Sequence, residues 1–310
     1  ERTWCSVPTL QLSYTEDTLR EASYMKDLDN LIPDIYAVLE GLNSDVGIDI
    51  PEELTEEFLV NMREALDGWS TPHLQSKTIR MSNVGRPIRR VWYDMQDTPE
   101  TKEKLHPSTF IKFLYGHLLE QIAILLIKLS GHTVTAMQKQ VEVDGIKGHM
   151  DCKIDGEVVD IKTASNFSFK KFSQGTLVND DPFGYMAQLA GYEEAEGTED
   201  GGFFAINKET GEICLFRPGQ LSKPNIRTRI ASIKDSLEKD TPPDICYSEL
   251  AEGKKGNLRL ASGCVYCPHK GKCWKDSNNG VGLRAFKYSN GVKYFTRVIS
   301  MPKVQEVYLK

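Results

Sequence analysis

Gly148-His149-Met150-Asp151-Cys152-Lys153-Ile154 leads into Asp155-Gly156 and out through Glu157-Val158-Val159-Asp160-Ile161-Lys162. An Asp-Gly pair between two alternating segments predicts a β-hairpin with a two-residue turn. With 155 and 156 as the turn, Asp151 faces Asp160, His149 faces Lys162 and Met150 faces Ile161. One face then carries His149, Asp151, Lys153, Val158, Asp160 and Lys162; the other carries Met150, Cys152, Ile154, Val159 and Ile161. Facing Cβ atoms on one sheet face lie about 4.5–5.5 Å apart, where like charges are destabilising. A divalent cation between two carboxylates reverses the sign of that interaction. The hairpin therefore reads as half of a metal site with a lysine on the same face. The plainer alternative is a wet sheet face on which Lys153, Lys162 and water relieve the two acids.

Outward from the hairpin, Asp144-Gly145 makes a second tight turn. Strands at 133–143, 146–154 and 157–163 then form a three-strand meander. A long helix is expected from Ser108, its N-cap, to Ser130, with Gly131 as the stop. Helices are also expected at 16–42, 52–69, 183–196 and 219–239. Strands are expected near 202–207 and 212–216, with a final hairpin of 284–288 and 292–299 around Ser289-Asn290-Gly291.

Composition sets the frame. The chain has 310 residues, 40% hydrophobic and 26% charged, with net charge −6. That is ordinary for a soluble globular protein. The uninterrupted apolar run Ile122–Ile127 is too short to span a bilayer, and no signal peptide is apparent, so neither a membrane partner nor export is expected. Seven cysteines without even spacing suggest a reducing cytoplasm and thiols that are free or bind metal. Residues 1–76 hold 16 acidic and 4 basic residues, whereas the rest holds 28 acidic and 34 basic, a net of +6. The larger part can thus meet a polyanion despite the acidic total. The acidic part reads as a solvated helical face or as a docking surface for a basic partner. Arg80, Arg86, Arg89 and Arg90, beside Trp92 and Tyr93, either grip phosphate and stack on bases or pair with that acidic part.

Four short motifs occur in order. Gly116-His117-Leu118-Leu119-Glu120 lies on the helix before the meander, and His117 and Glu120 share its face. Gly148-His149-Met150-Asp151 and Asp160-Ile161-Lys162 lie in the hairpin. Gln188-Leu189-Ala190-Gly191-Tyr192 lies on the next helix, with Gln188 and Tyr192 on one face. Together they resemble the RecB-like nucleases of the PD-(D/E)XK superfamily, especially phage-type exonucleases and the cysteine-cluster exonucleases of CRISPR adaptation. The resemblance covers about residues 80–300.

It implies an α/β fold: a nuclease core at 77–245 with a small mixed sheet flanked by helices. A helical N-terminal region (1–76) and a C-terminal cysteine-cluster lobe (246–310) would flank it. It also implies roles. Asp151, Asp160 and the Ile161 carbonyl would bind Mg²⁺ or Mn²⁺, with Glu120 completing the set directly or through water. Lys162 would orient or deprotonate the attacking water and stabilise the pentavalent phosphate. His117 would touch a second metal or the phosphate, and Gln188 and Tyr192 would hold the DNA strand. Arg89 and Lys170 are further substrate-binding candidates, Lys170 from the basic and aromatic stretch Asn166–Phe172. The expected activity is metal-dependent DNA exonuclease action in phage or bacterial recombination or end processing, with a recombination or helicase partner possible. The rivals are a spacer-trimming nuclease of CRISPR adaptation and a non-catalytic DNA-end-binding module.

Cys264, Cys267 and Cys273 follow at close spacing beside His269 and Trp274, with Cys246 upstream. Three close thiols with a fourth nearby favour a tetrahedral metal centre. The triplet resembles the iron–sulfur motif of RecB-like exonucleases, which implies a 4Fe–4S cluster. The fourth ligand expected from far upstream is not where the family pattern places it, so Cys246 is the first candidate and Cys5 the second. Zinc, with His269 as substitute ligand, stays open, as do unliganded thiols.

Overall fold

The computed structural model describes residues 26–45, 47–71, 77–97 and 106–308. Cys5 and the first part of the helix expected at 16–42 lie outside them. The described elements form a mixed α/β protein. Helices α1 (Leu31–Glu40), α2 (Glu52–Ser70), α3 (Met81–Val84), α4 (Ile88–Gln96) and α5 (Pro107–Leu129) come first. Strands β1 (Val134–Thr135), β2 (Lys139–Val143), β3 (Ile146–Met150), β4 (Cys152–Ile154) and β5 (Glu157–Ala164) follow. Then come α6 (Asn166–Ser173), α7 (Tyr185–Glu196), β6 (Gly202–Asn207), β7 (Ile213–Phe216) and α8 (Ile226–Leu237). The C-terminal part holds β8 (Leu250–Glu252), β9 (Asn257–Arg259), α9 (Ser262–Val265), α10 (Lys270–Cys273), α11 (Ser277–Gly280), β10 (Arg284–Tyr288), β11 (Gly291–Arg297) and β12 (Glu306–Val307).

The central sheet has the order β1-β4-β5-β6-β7. Only β5 and β6 run parallel, joined by a crossover through α6 and α7. Because β5 is buried on both faces, its side chains alternate between two hydrophobic cores. Val158 and Ala164 enter a core with Met186, Leu189, Phe203, Ile226 and Ile230. Val159 and Ile161 enter the other with Leu31, Ile35, Ala123, Ile127, Cys152, Ile154 and Phe204. The second core draws on α1, so residues before 76 help to cover the central sheet. Helix α5 is long and apolar enough to cross a membrane by length and composition alone; its Ala123, Ile124 and Ile127 pack onto this sheet.

The hairpin pairs Cys152 with Val159, Lys153 with Val158 and Ile154 with Glu157, as the Asp-Gly turn requires. Asp155 takes φ 50° and Gly156 φ 92° there. The single meander does not form. Ala136 and Gln138 take φ 51° and 49°, which kinks the first strand. The second strand breaks at Asp151, so β2 and β3 pair as a separate ribbon. Met150 consequently lies in the core opposite to Cys152, although strict alternation puts both on one face. Helix α5 starts one residue earlier than expected, capped by His106, whose Nδ1 accepts from Ser108 N at 3.2 Å. The predicted C-terminal hairpin is present as β10–β11, within a five-stranded antiparallel sheet of order β12-β10-β11-β9-β8.

One backbone contact fixes how α3 and α7 meet. A Cβ added to Gly85 would fall 2.1 Å from Gly184 O and 2.4 Å from Gly184 Cα. Backbone cannot yield as a flexible side chain can. Gly85→Ala is therefore expected to destabilise by about 2–3 kcal/mol, seen as a lower urea midpoint at unchanged slope. An unshifted midpoint would mean that the two chains do not touch there.

Candidate active site and thiol cavity

Asp160 comes from the middle of β5, which buries it completely (0% exposed). Its Oδ2 lies against the Lys162 ammonium, yet neither carboxylate oxygen receives an aligned hydrogen bond. A buried carboxylate oxygen without a donor carries a large desolvation cost unless something positive meets it. The wet-face alternative therefore fails for Asp160.

Asp151 follows the break between β3 and β4. Its Oδ2 accepts from Ile161 N at 2.7 Å, and its carbonyl accepts from Gln138 N at 2.9 Å. The break has a clear cause. Pairing of β4 with β5 stops at Val159, which leaves the Ile161 N–H on an open edge. The Asp151 carboxylate satisfies it. A strand residue presents N–H and C=O to the same edge, so the Ile161 carbonyl shares the edge with Asp151.

Glu120 approaches from α5, held by Gln138 Nε2 at 2.8 Å. Gln138 was not singled out in the sequence. Its signal is weak, because it depends on a positive-φ residue that no local pattern announces. His117, Glu120, Gln138 and Asp151 line one open cleft of about 470 Å³. Its other wall is α2, through Asn61, Glu64 and Ala65. The acidic N-terminal helix thus lies alongside α5 with Glu57 paired to Lys128, and Glu64 faces the cleft.

Burial, then the neighbouring Asp160, holds the Asp151 pKa well above the ordinary carboxylate value, and burial also raises Glu120. For Lys162, burial works against the ammonium, but Asp160 and Asp151 outweigh it and raise its pKa. Proton counting gives the sign for the acids. The folded chain holds these protons more tightly than the unfolded chain. The stability that these two carboxyls contribute is therefore full below about pH 4 and is lost as pH rises, until the folded carboxyls also ionise. A divalent cation held by these carboxylates would compete with those protons. The rise in Tm on adding Mg²⁺ or Mn²⁺ is expected to grow between about pH 5 and pH 8. A pH-independent rise would contradict this electrostatic picture.

Gln188 and Tyr192 do not offer themselves to a strand as the motif implied. Tyr192 is 2% exposed; its hydroxyl accepts from Gln188 Nε2 at 2.9 Å and donates to His149 O at 2.7 Å. Together they fix the backbone just ahead of Asp151. Lys170 points outward from α6, whereas Lys171 lines a pocket with Lys162, Ser165, Ser168 and Tyr185 and pairs with Asp180 at 2.7 Å. Phe169 and Phe172 pack inward, and Phe167 is exposed.

Arg89 and Arg90 lie on α4, which faces the cysteines, and Arg86 just precedes it; among the described residues these three do not pair with the acidic N-terminal helices. Arg89 donates to Cys273 Sγ at 3.3 Å and to Pro243 O, which takes it away from the substrate-binding role expected for it. Arg86 and Arg90 pair with Asp94, and Trp92 Nε1 donates to Lys239 O at 3.0 Å. Cys246, Cys264, Cys267 and Cys273 line one cavity with Arg89, Arg90 and Trp274. His269, the substitute ligand considered for zinc, turns its ring nitrogens to carboxylates and does not line the cavity. It is buried, with Nε2 on Asp94 at 2.8 Å and Nδ1 facing Asp97 at 3.4 Å. Burial, reinforced by neighbouring thiols, pushes Cys264 up to about 11. Among the described residues no three His, Cys, Asp or Glu side chains converge on a single ion position. The thiols surround a space rather than a point.

No protein-family model matches the chain, and neither does any characterised protein sequence. Among solved structures it is similar to SSO0001, with 17% identity and TM-score 0.38 over 70% of this chain and 94% of that one. It is also similar to the alkaline exonuclease LHK-Exo from Laribacter hongkongensis, with 14% identity and TM-score 0.37 over 59% and 92%. The same exonuclease in complex with dAMP gives 13% identity and TM-score 0.36 over 52% and 88%. Likeness at this level concerns general layout and assigns no role to any residue.

Proposed function

We propose that the chain is a divalent-metal-dependent DNA nuclease hydrolysing phosphodiester bonds. The observation that carries the reading is the completely buried Asp160 carboxylate, whose oxygens receive no hydrogen bond and whose Oδ2 lies against the Lys162 ammonium. Asp151, Asp160 and the Ile161 carbonyl would hold Mg²⁺ or Mn²⁺, with Glu120 reaching it through water. Two carboxylates with water in the remaining positions suit Mg²⁺, so the lack of a third converging acid is no obstacle. When bound, the cation offsets the charge that builds on the phosphate and favours deprotonation of the attacking water. Lys162 contributes as an ammonium that stabilises the phosphorane charge. Gln138 orients Glu120, and Tyr192 with Gln188 fixes the approach to Asp151. In this reading the cleft walled by α2 and α5 would take a strand end, as an exonuclease in recombination or end processing requires.

The thiol cavity suits a structural 4Fe–4S cluster better than zinc. Four thiols surround a common space, which fits a polynuclear group, and His269 has no free nitrogen for a mixed zinc site.

The direct test is digestion of end-labelled linear, nicked and circular DNA with Mg²⁺ or Mn²⁺. Linear DNA should shorten from an end, chelator should stop it and added metal should restore it. Lys162→Ala should lower turnover more than affinity. No metal-dependent cleavage of any of the three DNA forms would refute the reading.

A further inference from the structure

We infer that Tyr185 is a positioning residue for the Lys162 ammonium, an inference that rests on the nuclease reading. Lys162 Nζ lies 5.0 Å from the centroid of the Tyr185 ring. An ammonium within about 6 Å of an aromatic face is attracted by the ring quadrupole, most strongly where water is excluded. The Lys162 side chain is 17% exposed, with the Asp160 carboxylate and the Tyr185 ring both beside its ammonium. A divalent cation on Asp160 competes for the carboxylate. The ring face is then what keeps the ammonium from swinging away from the phosphate.

The ring is itself fixed. It stacks on Phe183 at 5.5 Å and on Phe172 at 6.1 Å, and lies 6.4 Å from Phe203. Tyr185 opens α7, where the Asp181 carboxylate accepts from Gly184 N and from Met186 N, both at 2.8 Å. Gly184, at φ 81°, packs backbone to backbone on Gly85. Pro182 lines both the thiol cavity and the pocket beside Lys162, so this short strap separates the two sites and is braced from both. Tyr185 belongs to none of the four motifs, so no short-range pattern marks it.

The test replaces Tyr185 in the full, metal-loaded protein by Phe, by Leu and by increasingly fluorinated phenylalanines, which keep the ring's shape while weakening its quadrupole. The expected result is kcat within about twofold for Tyr185→Phe, a fall of about tenfold for Tyr185→Leu, and a graded fall along the fluorinated series. KM for DNA should stay within about twofold throughout. Lys162→Ala runs alongside. If it cleaves like the parent, the nuclease reading itself fails. If it is inactive while kcat is flat along the fluorinated series, only the role of Tyr185 fails. A second readout does not use activity: acylation of Lys162 by acetic anhydride, quantified by mass spectrometry. Tyr185→Leu should acylate faster at Lys162, and an unchanged rate would overturn the inference.

Discussion

Asp160→Asn is expected to abolish cleavage, with kcat down by at least about a thousandfold, roughly 4 kcal/mol of transition-state stabilisation. The substitution keeps the buried volume, so the fold should survive. What it removes is one negative charge and the proposed cation ligand at the carboxylate that β5 buries completely. Affinity for DNA, measured by fluorescence anisotropy in chelator, should change little. The Mg²⁺-induced rise in Tm should disappear together with cleavage. Cleavage within tenfold of the parent would show that Asp160 is not a metal ligand, and the proposed chemistry would fall with it.

Cys264→Ala is expected to have the largest effect on stability. Cys264 is buried on the thiol cavity, and a metal centre there would tie residues 246–274 to α4. The other ties include Arg89 to Cys273, His269 to Asp94 and Asp97, Lys272 to Asp97 and the stacking of Tyr93 on His269. Loss of one ligand should empty the centre, remove any brown colour from anaerobically purified protein and expose residues 246–274 to protease. The stability lost should be about 4 kcal/mol or more, on the scale of metal-coupled folding. Cys214→Ala is the control, because Cys214 packs against the main core and is not among the residues that line the cavity, so metal content should stay intact. Full metal content in Cys264→Ala would contradict the assignment.

Much of the site was legible because it obeys short-range rules. The Asp155-Gly156 turn sets the register, and a period of two places Asp160 and Lys162 on one face of β5. Helical spacing brought His117 and Glu120 to one side of α5, and both reach the cleft. What stayed hidden depends on contacts distant in sequence. The break at Asp151 exists because the Ile161 N–H needs an acceptor at an edge that only the folded sheet defines. Gln138 reaches Glu120 through a left-handed backbone conformation. Arg89 was misplaced because a guanidinium suits a phosphate and a thiol alike, and composition cannot say which lies opposite. Tyr192 was read as a strand contact, whereas burial turns its hydroxyl to the His149 carbonyl. The α2 wall of the cleft was invisible in an acidic amphipathic pattern that equally describes a solvated surface.

The most direct measurement is an anomalous difference map from a crystal soaked in Mn²⁺. The account requires a peak within ligand distance, about 2.0–2.4 Å, of Asp160 Oδ1 and of an Asp151 carboxylate oxygen, with Lys162 Nζ still over the Tyr185 ring. A map with no peak between the two acids, or with Asp151 turned from Asp160 toward the opposite core, would contradict it.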